Sequence, residues 1–499
     1  MSGTMLASRL LKKAIGRDLP ARVGDFPVLG ITADSRDVRE GYIFVGVAGT
    51  QMDGADYAVQ AVEKGARLVI SHRAVEGLDA LVVEQANVAL AKLAWTFYGI
   101  DDLQDEGKLT FFGVTGTNGK TTVCYLFQYL ANKLGRRCAR FGTVEYDLLT
   151  EKVEASHTTP DTMQLGKLIR RACDNGAESI VMEVSSHALD QGRATGLKFS
   201  HAAFTNLTGD HLDYHKTMEN YLSAKTILFK SLPTGGTAVV NMDDPSSAKV
   251  LDVTSAGRIG YGIENPDAAL RAKDLKMTAG GTTGVIEYEG RKFNFHSPFI
   301  GRHNISNVLA AVGMGLGAGF DLEAMVGLIG TMPGAPGRLE RVPGGTGFEV
   351  FVDYAHTDDG LENVLSSLRP IVTNRLIVVF GCGGDRDRTK RPRMAKVAQR
   401  YGDVVIVTSD NPRTENPERI MDEIMEGFTP EFRGGVRVEV DRAKAIELAV
   451  ESARAGDIVL LAGKGHETYQ IIGREKFHFD DREKVAEFLK RRTLKASQN

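Results

Sequence analysis

Along the chain, short apolar runs alternate with amphipathic stretches and with polar breaks rich in glycine. Residues 42–47 and 67–71 read as strands between charged connectors. A polar stretch at 101–108 precedes a new strand at 109–114, and a domain boundary is expected there. Further strands are expected at 179–184 and 202–205, with helical patterns between them, such as 122–134. That alternation predicts a parallel sheet with helices on both faces. A Gly- and Ala-rich run at 308–320 reads as a close-packed helix. Residues 332–338, dense in Pro and Gly, read as a hinge or linker. The rhythm resumes at 375–380, 404–408 and 458–462, continuous apolar runs as buried parallel strands require. Each is followed at once by a polar turn, and ligands of open α/β sheets bind beyond such strand ends.

Composition narrows the class. The chain has 499 residues, enough for about three domains. It is 42% hydrophobic and 25% charged, so sizeable cores can form. Lys plus Arg number 61 against 64 Asp plus Glu, a net charge of −3, which leaves no basic footprint for nucleic acid. Cys124, Cys138, Cys173 and Cys382 are scattered without a CxxC pair, which argues against a disulfide framework or zinc site and for a reducing compartment. The N-terminal apolar runs are too interrupted by charge for a signal peptide, and no stretch reaches the length of a membrane span. A cytoplasmic protein with no membrane partner is expected.

The strongest local signal is GVTGTNGKTT at 113–122, between a strand and a helix. Backbone amides of Gly116, Thr117, Asn118 and Gly119 can close around phosphate oxygens, aided by the helix N-terminus. Lys120 can reach the terminal phosphates, the Thr121 hydroxyl can ligate Mg²⁺, and Thr122 continues the turn. Val114 stands where the strict phosphate-loop pattern has Gly, so the motif is a variant.

Other residues gain meaning from this loop. Glu183 ends a strand; alone it would be a solvated carboxylate, but opposite Thr121 it suits Mg²⁺. Asp210, His211, Asp213 and His215 cluster after another strand without the second group a transition-metal site needs. Lys225 falls one turn from both Tyr221 and Phe229 on an apolar helix face. It is either a snorkelling lysine or a partly buried amine able to lose its proton and take up CO₂ as a carbamate.

The run 115–122, TGTNGKTT, resembles the nucleotide loop of the Mur ligases and their folylpolyglutamate synthetase relatives. The resemblance extends along nearly the whole chain. It implies an α/β protein of three domains: an N-terminal α/β UDP-substrate-binding domain (1–105), a central P-loop-type parallel-sheet ATP-binding domain (106–335) and a C-terminal Rossmann-like amino-acid-binding domain (336–499). It implies ATP, two Mg²⁺ sites held by Thr121, Glu183, His211 and Lys225, and a carbamate on Lys225, since YLSAKTILF at 221–229 is similar to the helix carrying that modification. His215 is left as a structural residue. The HNxxN pattern at 303–307 is similar to the segment near adenine and points to Asn307; the residues alone would suggest a helix cap. Arg338 and Asp353 resemble residues reaching the γ-phosphate and ribose. Asp358 departs from relatives that carry Pro there, and is expected to be a loop variation.

The resemblance also implies substrate contacts. Ser35, within Asp34-Ser35-Arg36, is similar to a uridine-nucleotide contact. Thr158, Thr159, Ser185, Gln191 and Arg193 resemble the segments holding a UDP-muramoyl dipeptide, UDP-N-acetylmuramoyl-L-alanyl-D-glutamate. Beyond three strand ends lie Arg386, the run Asp410-Asn411-Pro412-Arg413, and Gly463 with Glu467. A guanidinium fork suits the distal carboxylate of meso-diaminopimelate and Glu467 its ammonium; the DNPR run is similar to the diaminopimelate-adding branch. Lysine would leave Arg413 unpaired, a mismatch worth about 10⁴-fold. Arg413 as a turn cap with a structural ion pair is the plain alternative. The activity implied is amide-bond formation through an acyl phosphate, by a monomer closing about the 332–338 hinge. Rival readings are a lysine-adding or folate-type ligase, an ATP-hydrolysing regulator or kinase, and a degenerate binding paralogue.

Overall fold

The computed structural model describes residues 5–49, 52–344 and 347–498, with side chains up to 494. Its contacts divide the chain into one unit of residues 1–259 with 313–320, and another of 260–312 with 321–499.

The first unit holds two sheets. A parallel four-stranded sheet runs in the order Gly30–Thr32, Tyr42–Gly46, Ala66–Ser71, Leu81–Val82. Leu10, Leu11, Ile43, Ile70 and Leu93 share the core on one of its faces, and Phe44, Ala58, Ala61 and Val69 a core of their own. The second sheet places Thr110–Thr115 between Phe199–Phe204 and Ser179–Glu183, flanked by Thr237–Asn241 and Cys138–Phe141, all parallel. Every residue of Ser179–Glu183 is buried, as a central parallel strand requires. Two short antiparallel strands, Glu145–Asp147 and Lys152–Glu154, extend the edge. Helix Lys120–Lys133 leaves the end of the central strand, close to the expected 122–134.

The second unit contains a six-stranded sheet ordered Glu340–Arg341, Glu349–Asp353, Ile458–Ala462, Leu376–Phe380, Val404–Thr408, Arg437–Glu439, parallel except for the first strand. The three strands read from sequence are therefore neighbours, and their carboxyl ends open on one side. An antiparallel meander of Leu270–Thr278, Gly281–Tyr288 and Arg291–Ser297 was not legible in the expected parallel pattern. Its strands mix buried, half-buried and exposed residues and carry no long buried run. The helix expected at 308–320 spans Arg302–Gly317. Asp358, expected in a loop, is instead the first residue of helix Asp358–Leu368, capped by Thr357 and paired with Arg393 at 2.9 Å. An acidic residue suits a first helical position, where it meets the positive end of the helix dipole.

Candidate active site

The phosphate loop is built by close approach. Gly116 has φ +147°, and a Cβ there would lie 1.9 Å from Thr205 Oγ1. Gly119, at φ +87°, starts the helix. Thr205 Oγ1 donates to Asn118 O at 2.6 Å, and Asn206 accepts from the amides of Thr117 and Asn118, each at 2.9 Å. The Lys120 ammonium donates to the carbonyls of Gly116 (2.9 Å) and Thr117 (2.7 Å).

Lys225 meets the same loop. Helix Met218–Lys230, capped by Thr217, buries Tyr221, Lys225 and Phe229 on one face. Lys225 is 1% exposed, lies 4.2 Å from the Tyr221 ring centroid, and its Nζ donates to Gly116 O at 2.8 Å. Burial first, and the charge of Lys120 second, push its pKa well below the ordinary lysine value. A neutral amine is the state that adds CO₂.

Glu183 closes the end of its strand, 1% exposed. Its carboxylate accepts from Thr143 N at 2.8 Å and Thr143 Oγ1 at 3.1 Å. Gly142 permits this, because a Cβ there would lie 2.2 Å from Glu183 Oε1. Both donors are neutral, so a buried carboxylate stands without an ion-pair partner among the described residues. His211 sits at φ +55°, its side chain half exposed, 3.5 Å from Asp210, and its partial desolvation lowers its pKa, with Lys120 and Lys225 adding to the effect. His187 packs against His211 and Tyr214 at 4.8 and 4.3 Å, and burial lowers its pKa to about 4. His215 is buried on Ser186 Oγ at 2.9 Å.

The residues expected to hold the dipeptide form one connected set. Thr159 Oγ1 donates to Glu183 O (2.8 Å) and accepts from Ser185 N (3.0 Å). Thr158 Oγ1 lies 3.1 Å from Thr143 Oγ1. Ser185 caps the short helix Ser186–Asp190. Arg193 donates to Gln191 Oε1 (2.6 and 2.9 Å) and Thr159 O (3.0 Å). Ser35, in the N-terminal sheet region, donates to Gln60 Oε1 at 2.8 Å, and Arg36 pairs with Asp34 at 2.6 Å.

In the second unit, Asn304 and Asn307 are buried within helix Arg302–Gly317. Asn304 donates to Ile300 O at 2.9 Å and so does not cap the helix. Arg338 lies 4.7 Å from the Tyr354 ring centroid, and Asp353 accepts from the amides of Leu339 (2.5 Å) and Ala355 (2.7 Å). Burial raises the Asp353 pKa, opposed by Arg338.

The three loops beyond the strand ends of that unit meet. Asn411 Nδ2 donates to Glu467 Oε2 at 2.8 Å. Lys464, fully buried, donates to Asn411 Oδ1 (3.3 Å) and Glu467 Oε2 (3.4 Å) and lies 3.5 Å from Asp410. Burial and Asp410 raise the Glu467 pKa. Arg413 donates to Gly384 O at 2.8 Å, the loop-capping half of the plain alternative, with no ion pair to a carboxylate among the described residues. Pro412 O crowds Gly384, where a Cβ would lie 2.0 Å away, and Gly463 at φ +116° faces Asp410. Arg386 is exposed and donates to Asp385 O at 3.0 Å.

Three family models match in chain order: the Mur ligase family catalytic domain over 27–97, the Mur ligase middle domain over 114–315, and the Mur ligase glutamate ligase domain over 337–465. The UDP-N-acetylmuramoyl-L-alanyl-D-glutamate--2,6-diaminopimelate ligase of Geobacter sulfurreducens is 45% identical over 91% of this chain and 93% of its own. The chain belongs to the Mur ligase family. A solved structure of a ligase with that same name is 35% identical, with TM-score 0.72, over 98% of this chain and 100% of its own. The MurF ligase of Thermotoga maritima, solved with ADP, shares the fold at 20% identity and TM-score 0.60, over 93% and 98%.

For this Mur ligase, sequence reasoning missed Thr143, Gly142, Asn206 and Lys464. Thr143 follows a strand as Phe141-Gly-Thr, and Lys464 lies inside GKGHE, so faint signals existed; which atom each would meet was not encoded locally. No group of three or more His, Cys, Asp or Glu among the described residues is arranged to hold a metal. The buried Glu183 carboxylate, with no ion-pair partner among the described residues, and the buried Thr121 hydroxyl are oxygen donors of the kind Mg²⁺ takes. No helix among the described residues is long and apolar enough to cross a membrane.

Proposed function

We propose that this Mur ligase joins meso-2,6-diaminopimelate to the D-glutamate of UDP-N-acetylmuramoyl-L-alanyl-D-glutamate, with ATP giving ADP and phosphate, in peptidoglycan precursor synthesis in the cytoplasm. The observation that carries it is that three adjacent parallel strand ends meet, Asn411 bonding Glu467 and Arg413 bonding Gly384. The guanidinium supplies a planar fork for a distal carboxylate, and Glu467 an acceptor for the ammonium beside it.

The γ-carboxylate of the D-glutamate attacks the γ-phosphorus of ATP, and the bond to ADP breaks, leaving an acyl phosphate. The free amine of diaminopimelate then attacks the acyl carbon. Phosphate departs, the amine loses a proton, and an amide remains. Lys120 and the amides of 116–119 neutralise charge on the transferring phosphoryl group. Asn307, Arg338 and Asp353 are assigned to the nucleotide, Ser35 to the uridine part, and Thr158, Thr159, Ser185, Gln191 and Arg193 to the dipeptide. Thr121, Glu183, His211 and carbamylated Lys225 are assigned to two Mg²⁺. When bound, these ions offset the negative charge of the reacting phosphate. The chain's own contribution is chiefly positioning.

The test is phosphate release from ATP and Mg²⁺ with the UDP-muramoyl dipeptide, comparing meso-diaminopimelate, L-lysine and no amine. Release with diaminopimelate, and a product heavier by that residue, is expected. Preference for lysine overturns the role of Arg413; release without any amine or product moves the chain to an ATPase.

A further inference from the structure

The run 410–413 does not hold its own shape. Arg413 sits in the left-handed region at φ +52°, which costs a non-glycine residue about 1 kcal/mol or more unless its surroundings enforce it. The enforcing element is a separate two-stranded hairpin, Tyr469–Ile472 with Glu475–His478. It grips the run by four hydrogen bonds. Gln470 Nε2 donates to Asp410 O at 2.7 Å, and Ile471 N to Asn411 Oδ1 at 2.9 Å. Arg413 N donates to Ile471 O at 3.1 Å, and Gly473 N to Arg413 O at 2.7 Å. The bonds on both sides of Arg413 fix its backbone. The bond to Asn411 Oδ1, with Lys464 on the same oxygen, turns the amide so that Nδ2 faces Glu467.

We infer that the hairpin 469–478 sets amino-acid selectivity, with Gln470 and Gly473 as positioning residues that hold the backbone carbonyls of Asp410 and Arg413. The inference rests on the assignment of this pocket to diaminopimelate. Gly473, at φ +63° in the hairpin turn, meets nothing within 4 Å, so a side chain there strains the backbone without a clash. Gln470→Leu removes the side-chain donor at similar size.

The experiment measures kcat and KM for each substrate in the wild type, Gln470→Leu and Gly473→Val, with meso-diaminopimelate and L-lysine as amines. Loss of one hydrogen bond predicts a roughly 3–10-fold rise in KM for diaminopimelate in Gln470→Leu. Discrimination against lysine should fall by about the same factor, while KM for ATP and for the UDP-muramoyl dipeptide stays within about twofold. Unchanged KM and discrimination in both variants overturn the inference. So does a uniform decline for all three substrates, which marks the hairpin as structural only. If one variant fails to fold, the other decides. A wild type that does not use diaminopimelate refutes the pocket assignment itself, a result visible before any variant is compared.

Discussion

Lys225 Nζ donates to the carbonyl oxygen of Gly116 at 2.8 Å, joining residues 109 apart in the chain. The same carbonyl accepts from Lys120 at 2.9 Å. Two ammonium groups cannot both stay charged on one buried oxygen without cost, and burial, with the charge of Lys120, pushes the Lys225 pKa well below the ordinary lysine value. The Lys225 amine is thereby held against the loop 116–119.

That amine should carry CO₂. Incubation with ¹³C-bicarbonate should give a carbamate carbon signal in the wild type that is missing in Lys225→Met. Depletion of bicarbonate should slow ligation reversibly. Lys225→Arg, which keeps a cation and cannot form the carbamate, should lose roughly 100-fold or more in kcat. An unmodified and fully active Lys225 would remove it from the assigned Mg²⁺ ligands.

Thr143 donates twice to Glu183, through its amide and its hydroxyl. Thr143→Val keeps the amide and the volume but loses the hydroxyl. The Mg²⁺ concentration for half-maximal activity should rise roughly 10-fold, with Thr143→Ser close to wild type. Titration of activity against Mg²⁺ checks this, and equal midpoints in all three would refute it.

Arg413→Met removes the guanidinium fork and leaves the lysine side chain nothing to clash with. Discrimination between diaminopimelate and lysine, expected at up to about 10⁴-fold, should collapse mainly through loss on diaminopimelate. Competition between the two amines, read by product mass, measures it directly.

His201 stacks on Phe112 at 4.9 Å, and burial, with Arg136 adding to it, lowers its pKa to about 4. Its folded pKa lies below the unfolded value of 6.5, so the unfolded chain takes up the proton first as pH falls. Stability is therefore lost between about pH 6.5 and 4 and is unaffected by this group above that window. His201→Phe should lose less over the range, by up to about 3 kcal/mol. Thermal melts of both proteins at pH 7.5 and 4.5 give the comparison; parallel losses would show that His201 is not a source of the acid sensitivity.

The sequence alone pointed to the α/β class and to strands at 109–114, 179–184, 375–380, 404–408 and 458–462, each within a residue of the strand that forms, because buried parallel strands are continuous apolar runs that any sheet must cover. It also determined the phosphate loop, where Gly116 and Gly119 are required by backbone angles no other residue adopts cheaply, and the apolar helix face that carries Lys225. It left open what depends on contacts between distant segments. The meander 270–297 has no continuous buried run to mark its strands before they pair. Asp358 could be placed on a helix only once Thr357 was seen to cap it. That Thr143 holds Glu183, that Lys464 is buried between Asn411 and Glu467, and that a hairpin 56 residues further along grips Arg413 were decided by tertiary structure alone. Hydrogen bonds and burial are set by which side chains arrive at the same place, and local periodicity carries no record of that meeting.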